Sequence, residues 1–382
     1  MSSATRAISR CCSGRDCTEA ARLPADPLAG FYYPSESPLL CPEPPTRGFF
    51  SNCLPSATVG RVPTAVAPLA CRARPRCGWT PPFGTVDGWR WSLTQYVPRY
   101  AERYSRTRDG LTLYYRDYAG DERRVPVLCL AGLTRNCQDF EALATAIAPV
   151  RRVLTPDQRG RGRSQHDPNW LNYHPGTYVS DMWALLDGLG IERVIVIGTS
   201  LGGLVGMMMA AARPRALAGV VLNDIGPELE PTGMRRIQQH IGRLPPVRTW
   251  PEAIAQVKML FGAALPDYDE ADWRRFAERS FLTDEHGAPR SAADPKIGEL
   301  LRAVPAGYAP GAWMAFHALG GIPTLAIRGE LSDVLGAETF ERMQRAKPDL
   351  ERLSVPNRGH PPPLDEPLCR AAIERFLAGI DE

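Results

Sequence analysis

The sequence predicts an α/β fold, a mostly parallel sheet with helices on both faces and an inserted helical unit. Three observations carry that expectation. From about residue 95 onward, short apolar runs alternate with segments of helical apolar spacing. Several of those runs, Val194-Ile195-Val196-Ile197 among them, are β-branched and apolar without alternation, the composition of a strand buried on both faces. About ninety residues between "VVLNDIGP" and "IPTLAIRGE" are too many for a simple crossover, so a further unit is inserted there.

Residues 1–94 are expected to be a disordered extension. They are rich in proline, lack a regular apolar period and hold seven of the ten cysteines, Cys11, Cys12, Cys17, Cys41, Cys53, Cys71 and Cys77. No C-x₂-C pair and no histidine lies among them, so no metal site is expected there. Their ten arginines against six acidic residues give +4 of the chain's net +3, which leaves the remainder near −1. That balance implies no basic surface for nucleic acid. The opening "MSSATRAISR" is followed by no apolar secretory core, and cytoplasm is the default expectation. With three lysines in 382 residues the chain has a GC-rich coding bias, in which upstream frames stay open easily, so translation of the extension is itself an open question.

The ordered pattern begins with "RYSRT" and "LTLYYRDY", two strands about Asp109-Gly110, a dipeptide that favours a two-residue hairpin turn. "VPVLCL" is a buried strand ending at Ala131-Gly132, and "DFEALATAI" a helix through Phe140, Leu143 and Ile147. "RRVLTP" is a strand and "YVSDMWALLDGL" a helix. The nineteen uncharged residues from Val194 to Ala212 are long enough to raise a membrane span, but Gly198, Thr199, Ser200, Gly202 and Gly203 interrupt them. They read instead as strand, tight turn and helix, closed by Pro214. "AGVVLND", "IPTLAIRGE" and "LERLSVP" supply further strands, and "LDEPLCRAAIERFLAGI" a closing helix. Within the insertion, Thr249 and Glu252 have capping-box spacing, and "YDEADWRRFAERSF" has aromatic residues at helical intervals.

Gly198-Thr199-Ser200-Leu201-Gly202 is G-x-S-x-G in a strand-turn-helix context. A serine on so sharp a turn sits in strained backbone, and side chains two residues to either side would collide. Ser200 is therefore the candidate nucleophile. It needs a base, and His360 follows the last strand, where a loop at the sheet's carboxyl edge can present it. His166, His174, His240, His286 and His317 are assigned no part. For the acid, Asp333 in "RGELSDVL" is favoured, because it follows the strand nearest in sequence to that of His360; Asp224 in "LNDIGPELE" is the alternative and Glu330 a third. The backbone N–H groups of Leu201 and Leu133 are the expected oxyanion donors.

With these features, residues 96–382 resemble the α/β-hydrolase superfamily, most of all its capped bacterial esterase, enol-lactonase and C–C hydrolase branch. Asp157-Gln158-Arg159-Gly160-Arg161-Gly162-Arg163-Ser164 matches the family's D-x-R-G-x-G-x-S loop, read here as scaffolding since the lysine and helix of a phosphate-binding loop are missing. Ala131-Gly132 departs from the His-Gly that many members carry. The resemblance implies a core over 95–225 and 319–382 with a helical cap at 226–318. Trp273, Phe276, Phe281, Trp313 and Phe316 are candidates either for the pocket wall or for the cap's own core. The activity implied is cofactor-independent hydrolysis of a small or medium carboxylic ester or lactone. C–C cleavage, acyl transfer or perhydrolysis with the same triad, and ligand binding without turnover, are the alternatives.

Overall fold

The computed structural model describes residues 99–303, 305–306 and 311–381. The extension at 1–94, with its seven cysteines, lies outside the described residues. Strands β1 (Ala101–Arg106) and β2 (Thr112–Tyr118) form an antiparallel hairpin. The connection is five residues rather than the two expected. Thr107 and Leu111 close it, with the Thr107 N–H donating to the Leu111 carbonyl at 2.9 Å and Gly110 at φ +89°. The Asp109 carboxylate accepts from the Thr107 hydroxyl within the turn and pairs with the buried Arg159 at 2.8 Å.

The α/β succession follows: β3 (Val127–Leu130), α1 (Glu141–Ile147), β4 (Val153–Pro156), α2 (Pro175–Gly188), β5 (Val194–Thr199), α3 (Leu201–Ala212) and β6 (Leu217–Asn223). The insertion holds α4 (Pro231–His240), α5 (Trp250–Phe261), α6 (Glu270–Ser280), β7 (Phe281–Thr283), β8 (Pro289–Ser291), α7 (Ile297–Arg302) and α8 (Ala312–His317). The chain then returns through β9 (Thr324–Gly329), α9 (Ala337–Ala346), β10 (Glu351–Val355) and α10 (Pro367–Asp381). The eight-stranded sheet has the order β1-β2-β4-β3-β5-β6-β9-β10, antiparallel at β1/β2 and β2/β4 and parallel elsewhere.

Burial explains the uniform apolar runs. On β5, Val194 and Val196 pack into one core cluster with Met207 and Met182, while Ile195 and Ile197 pack into the other with Ile373 and Phe376. Each face is therefore covered by helices, as the composition required. The stretch Val194–Ala212 is split between β5 and α3, and among the described residues no helix is long and apolar enough to cross a membrane.

The insertion is not wholly helical, since β7 and β8 pair as a short antiparallel hairpin. Both α5 and α6 start in capping boxes, Thr249 with Glu252 as expected and Asp269 with Asp272 besides. Trp273, Phe276, Ala253 and Val257 close a small core of the insertion's own. Helix α8 instead packs on α3, and its Phe316 joins the main core.

Candidate active site

Register brings the strand ends together. Leu130 pairs with Gly198, Thr199 with Asn223, and Asn223 with Ile327, so the loops after β3, β5, β6 and β9 emerge side by side at the carboxyl edge. At the end of β5, Ser200 has φ 51° and ψ −116°, a left-side conformation that costs a residue with a Cβ free energy and projects its hydroxyl off the sheet. The surrounding glycines permit it: a Cβ on Gly202 would collide with the Leu130 carbonyl, and one on Gly198 with the Gly202 and Gly203 backbone. The Ser200 N–H donates to the Asn223 carbonyl at 2.9 Å, tying the turn to the end of β6.

His360, buried in the loop after β10, lies with Nε2 2.9 Å from Ser200 Oγ and Nδ1 2.8 Å from Asp224 Oδ2. The acid beside the histidine is thus Asp224, not the favoured Asp333. Asp224 is fully buried, at φ +55°, and its carboxylate also accepts from the Gly329 N–H at 2.8 Å and the Ser332 hydroxyl at 2.6 Å. Asp333 faces the other way and takes a bidentate pair with Arg236 of α4, at 2.7 and 2.8 Å. Burial raises the Asp333 carboxyl, but the Arg236 hydrogen bonds and charge outweigh it and hold the group below the usual carboxylate range. Glu330 contributes only an acceptor to the Asn357 N–H.

Two supporting residues escaped the sequence reading. Ser332, next to the favoured acid, serves Asp224 instead. Asn223 donates to Thr199 Oγ1 at 3.0 Å and to the Pro362 carbonyl at 2.9 Å, joining the serine and histidine loops. Its signal was present in "VVLND", where a polar side chain ends a strand that is otherwise apolar.

The loop after β3 passes beside the serine: a Cβ on Gly132 would lie 3.8 Å from Ser200 Cβ. Among the described residues, neither the Leu133 nor the Leu201 N–H donates to a protein acceptor, so both are free for a ligand. The Asp157–Ser164 segment supports this loop. Asp157 accepts from the Cys137 and Arg163 N–H groups at 2.7 and 2.8 Å, although burial still pushes its carboxyl upward. Gly162, at φ +54°, leaves no room for a Cβ against that carboxylate. Arg159 is buried against Asp109, Asp167 and Asp181. The segment therefore does structural work, as expected of it.

A cavity of about 580 Å³ opens over Ser200 and His360, lined on one side by the core loops and on the other by the insertion. Of the five aromatic candidates only Phe281 reaches it. Trp273 and Phe276 are spent in the insertion's core, Phe316 in the main core, and Trp313 donates to Glu228. The wall is mostly apolar, with Arg135, Arg236, His240 and Arg290 as basic groups besides the histidine, and Asp294 as the one carboxylate. Among the described residues no three His, Cys, Asp or Glu side chains gather as a metal would require.

A family model described as the alpha/beta hydrolase fold matches residues 125–259. The 3-hydroxybutyrate-oligomer hydrolase of Cupriavidus necator is 33% identical over 273 residues, 68% of this chain and 91% of that protein. The 2-(acetamidomethylene)succinate hydrolase of Mesorhizobium japonicum is 25% identical over 61% of this chain and 81% of its own. The crystal structure of an alpha/beta hydrolase from Novosphingobium aromaticivorans is 44% identical, covers 73% of this chain and 98% of its own, and has a TM-score of 0.69.

Proposed function

The chain belongs to the α/β-hydrolase fold family, and from that premise we propose that it is a serine hydrolase of carboxylic esters, acting through an acyl-enzyme on Ser200. The observation that carries this reading is the continuous relay of 2.9 Å from Ser200 Oγ to His360 Nε2 and 2.8 Å from His360 Nδ1 to Asp224. An ionised Asp224 can only accept, so Nδ1 carries the proton and Nε2 is the free base. Ser200 Oγ attacks the ester carbonyl while His360 takes its proton. The tetrahedral oxyanion accepts hydrogen bonds from the Leu133 and Leu201 N–H groups, with the N-terminus of α3 behind them. His360 protonates the leaving alkoxide, takes a proton from water as the water attacks the acyl-enzyme, and returns it to Ser200 Oγ as the second tetrahedral intermediate expels the serine and releases the acid. A lactone opens by the same steps.

For the substrate we propose a short ester of a hydroxy acid bearing a free carboxylate. The apolar wall suits the carbon chain, and Arg290, His240 and the edge of Arg236 that Asp333 leaves open suit an anionic end. Arg236 is held by Asp333 through Nε and Nη2, and among the described residues Nη1 meets no acceptor. The Cupriavidus relative, named for a hydroxyacid oligomer, points the same way. The test is turnover of p-nitrophenyl esters from acetyl to octanoyl, and of 3-hydroxybutyrate dimers as free acid and methyl ester, by wild type and Ser200→Ala. Activity lost in a folded Ser200→Ala protein is expected, with the free acid preferred. Absence of all ester turnover together with no labelling of Ser200 by a fluorophosphonate would overturn the hydrolase reading. Equal rates on acid and methyl ester would remove only the anionic substrate.

A further inference from the structure

Arg161 is fully buried, yet it has no carboxylate partner among the described residues. Two positions earlier, Arg159 is matched by three. The Arg161 guanidinium is met only by neutral dipoles and rings. Its Nε donates to the Leu133 carbonyl at 2.8 Å, and its Nη1 donates to the Arg159 carbonyl and the Tyr178 hydroxyl, both at 2.8 Å. The guanidinium carbon stands 4.7 Å from the centre of the Tyr178 ring, and Nη2 has no hydrogen-bond partner. A desolvated cation with so little compensation costs the fold stability, so its position calls for an explanation.

The explanation lies in what Arg161 joins. Its backbone runs against the insertion, where Arg161 bridges Ala293 and the Asp294 N–H donates to the Gly160 carbonyl at 2.8 Å. Its side chain crosses to Leu133 in the loop after β3. The same loop is gripped by the insertion further on. Asn136 Nδ2 donates to the Arg279 carbonyl at 2.9 Å, and Arg135 donates to the Ser280 hydroxyl and lies over the Phe276 ring at 4.5 Å. Among these contacts, the Arg161 bond alone acts on Leu133 itself, at the carbonyl of the peptide that follows the one bearing its N–H.

We propose that Arg161 is a positioning residue for the reaction: by holding the Leu133 carbonyl it restrains the Leu133 backbone so that the N–H on the residue's other peptide addresses the oxyanion, and it links that geometry to the seating of the insertion. The inference rests on the oxyanion role proposed for Leu133.

The experiment compares wild type with Arg161→Met, which keeps much of the side-chain length and removes the charge. The readouts are kcat and KM on p-nitrophenyl butyrate, and inhibition by butyl boronic acid, which forms a tetrahedral anion on the serine, against inhibition by neutral butyramide. The expected result is a fall in kcat of about 10- to 100-fold with KM within twofold, because a misplaced donor weakens only the anionic state. Boronate affinity falls in parallel and butyramide affinity does not. Equal weakening of both inhibitors, or kcat and boronate affinity within twofold of wild type, would overturn the proposal. If Arg161→Met does not fold, the same comparison is made with Arg161→Lys, whose retained charge but lost fork is expected to give a smaller, same-signed loss in kcat and boronate affinity. Failure of the underlying hydrolase reading is seen separately, as a wild type that neither turns over the ester nor binds the boronate.

Discussion

Replacing Asp224 by asparagine separates the two candidate acids most sharply. The substitution keeps the shape of a fully buried group and removes its charge. One oxygen of the carboxylate accepts from the Gly329 N–H and the other from Ser332 and His360. In the amide the oxygen stays with the Gly329 donor, so the NH₂ faces His360. Nδ1 must then accept, the ring proton moves to Nε2, and the base toward Ser200 is lost. That wrong tautomer costs about 10³- to 10⁴-fold in kcat by analogy with other serine triads. At about 1.4 kcal/mol per decade this is about 4–5.5 kcal/mol of transition-state stabilisation. Loss of the charge-assisted bonds also lowers folding stability by about 1–3 kcal/mol. Asp333→Asn breaks only a half-exposed pair with Arg236, with side chains 35% and 36% accessible, and is expected to cost about 1 kcal/mol or less. Its kcat on p-nitrophenyl butyrate should stay within about threefold of wild type, since no bond to His360 is lost. The assay is kcat/KM on that ester beside thermal melting for wild type and both variants. If Asp333→Asn proved the more damaging, or Asp224→Asn kept more than a tenth of the activity, the assignment of the acid would be wrong.

Gly202→Ala drives a Cβ into the Leu130 carbonyl, a rigid backbone neighbour, and should lower stability by about 2 kcal/mol or more, read as a melting temperature several degrees lower. Arg159→Met strands the buried Asp167 and Asp181 carboxylates and is expected to destabilise by about 3–5 kcal/mol in urea unfolding; a loss below about 1 kcal/mol would show that the cluster is not held by that charge. The Arg159 hydrogen bonds hold the Asp109 carboxyl at about 2 against its ordinary 3.8, so the folded state favours the ionised form. That contribution is complete above the unfolded value and is lost as pH falls through 3.8 toward 2. Because Asp109 is 46% exposed it amounts to about 1 kcal/mol or less, and Asp109→Asn should flatten the pH dependence of stability in that window alone.

The legible parts of the molecule are those governed by local sterics and burial. The apolar β-branched run of β5, the glycines around Ser200 and the capping box at Thr249 each encode their geometry within a few residues. The hairpin at Asp109 was less legible: its connection is five residues closed by Thr107 and Leu111, and the Asp109 carboxylate is shared between the Thr107 hydroxyl and the distant Arg159. The β7/β8 hairpin is three residues to a side, too short to generate a period of its own. The aromatic residues at helical spacing say that a face is buried without saying against what, and four of the five face a core rather than the cavity.

By itself the sequence determined the sheet, the serine on its turn and the histidine after the last strand, since strand composition and turn sterics act over neighbouring residues. Only the tertiary structure shows which carboxylate meets the histidine. Strands β6 and β9 are neighbours, so Asp224 and Asp333 both leave the sheet beside His360, and sequence separation cannot rank them. The choice follows from direction: a left-handed backbone turns Asp224 inward to the ring, while Arg236, carried in on the insertion, holds Asp333 toward itself. Arg236 and Asp333 are 97 residues apart, and nothing local to either records that they meet.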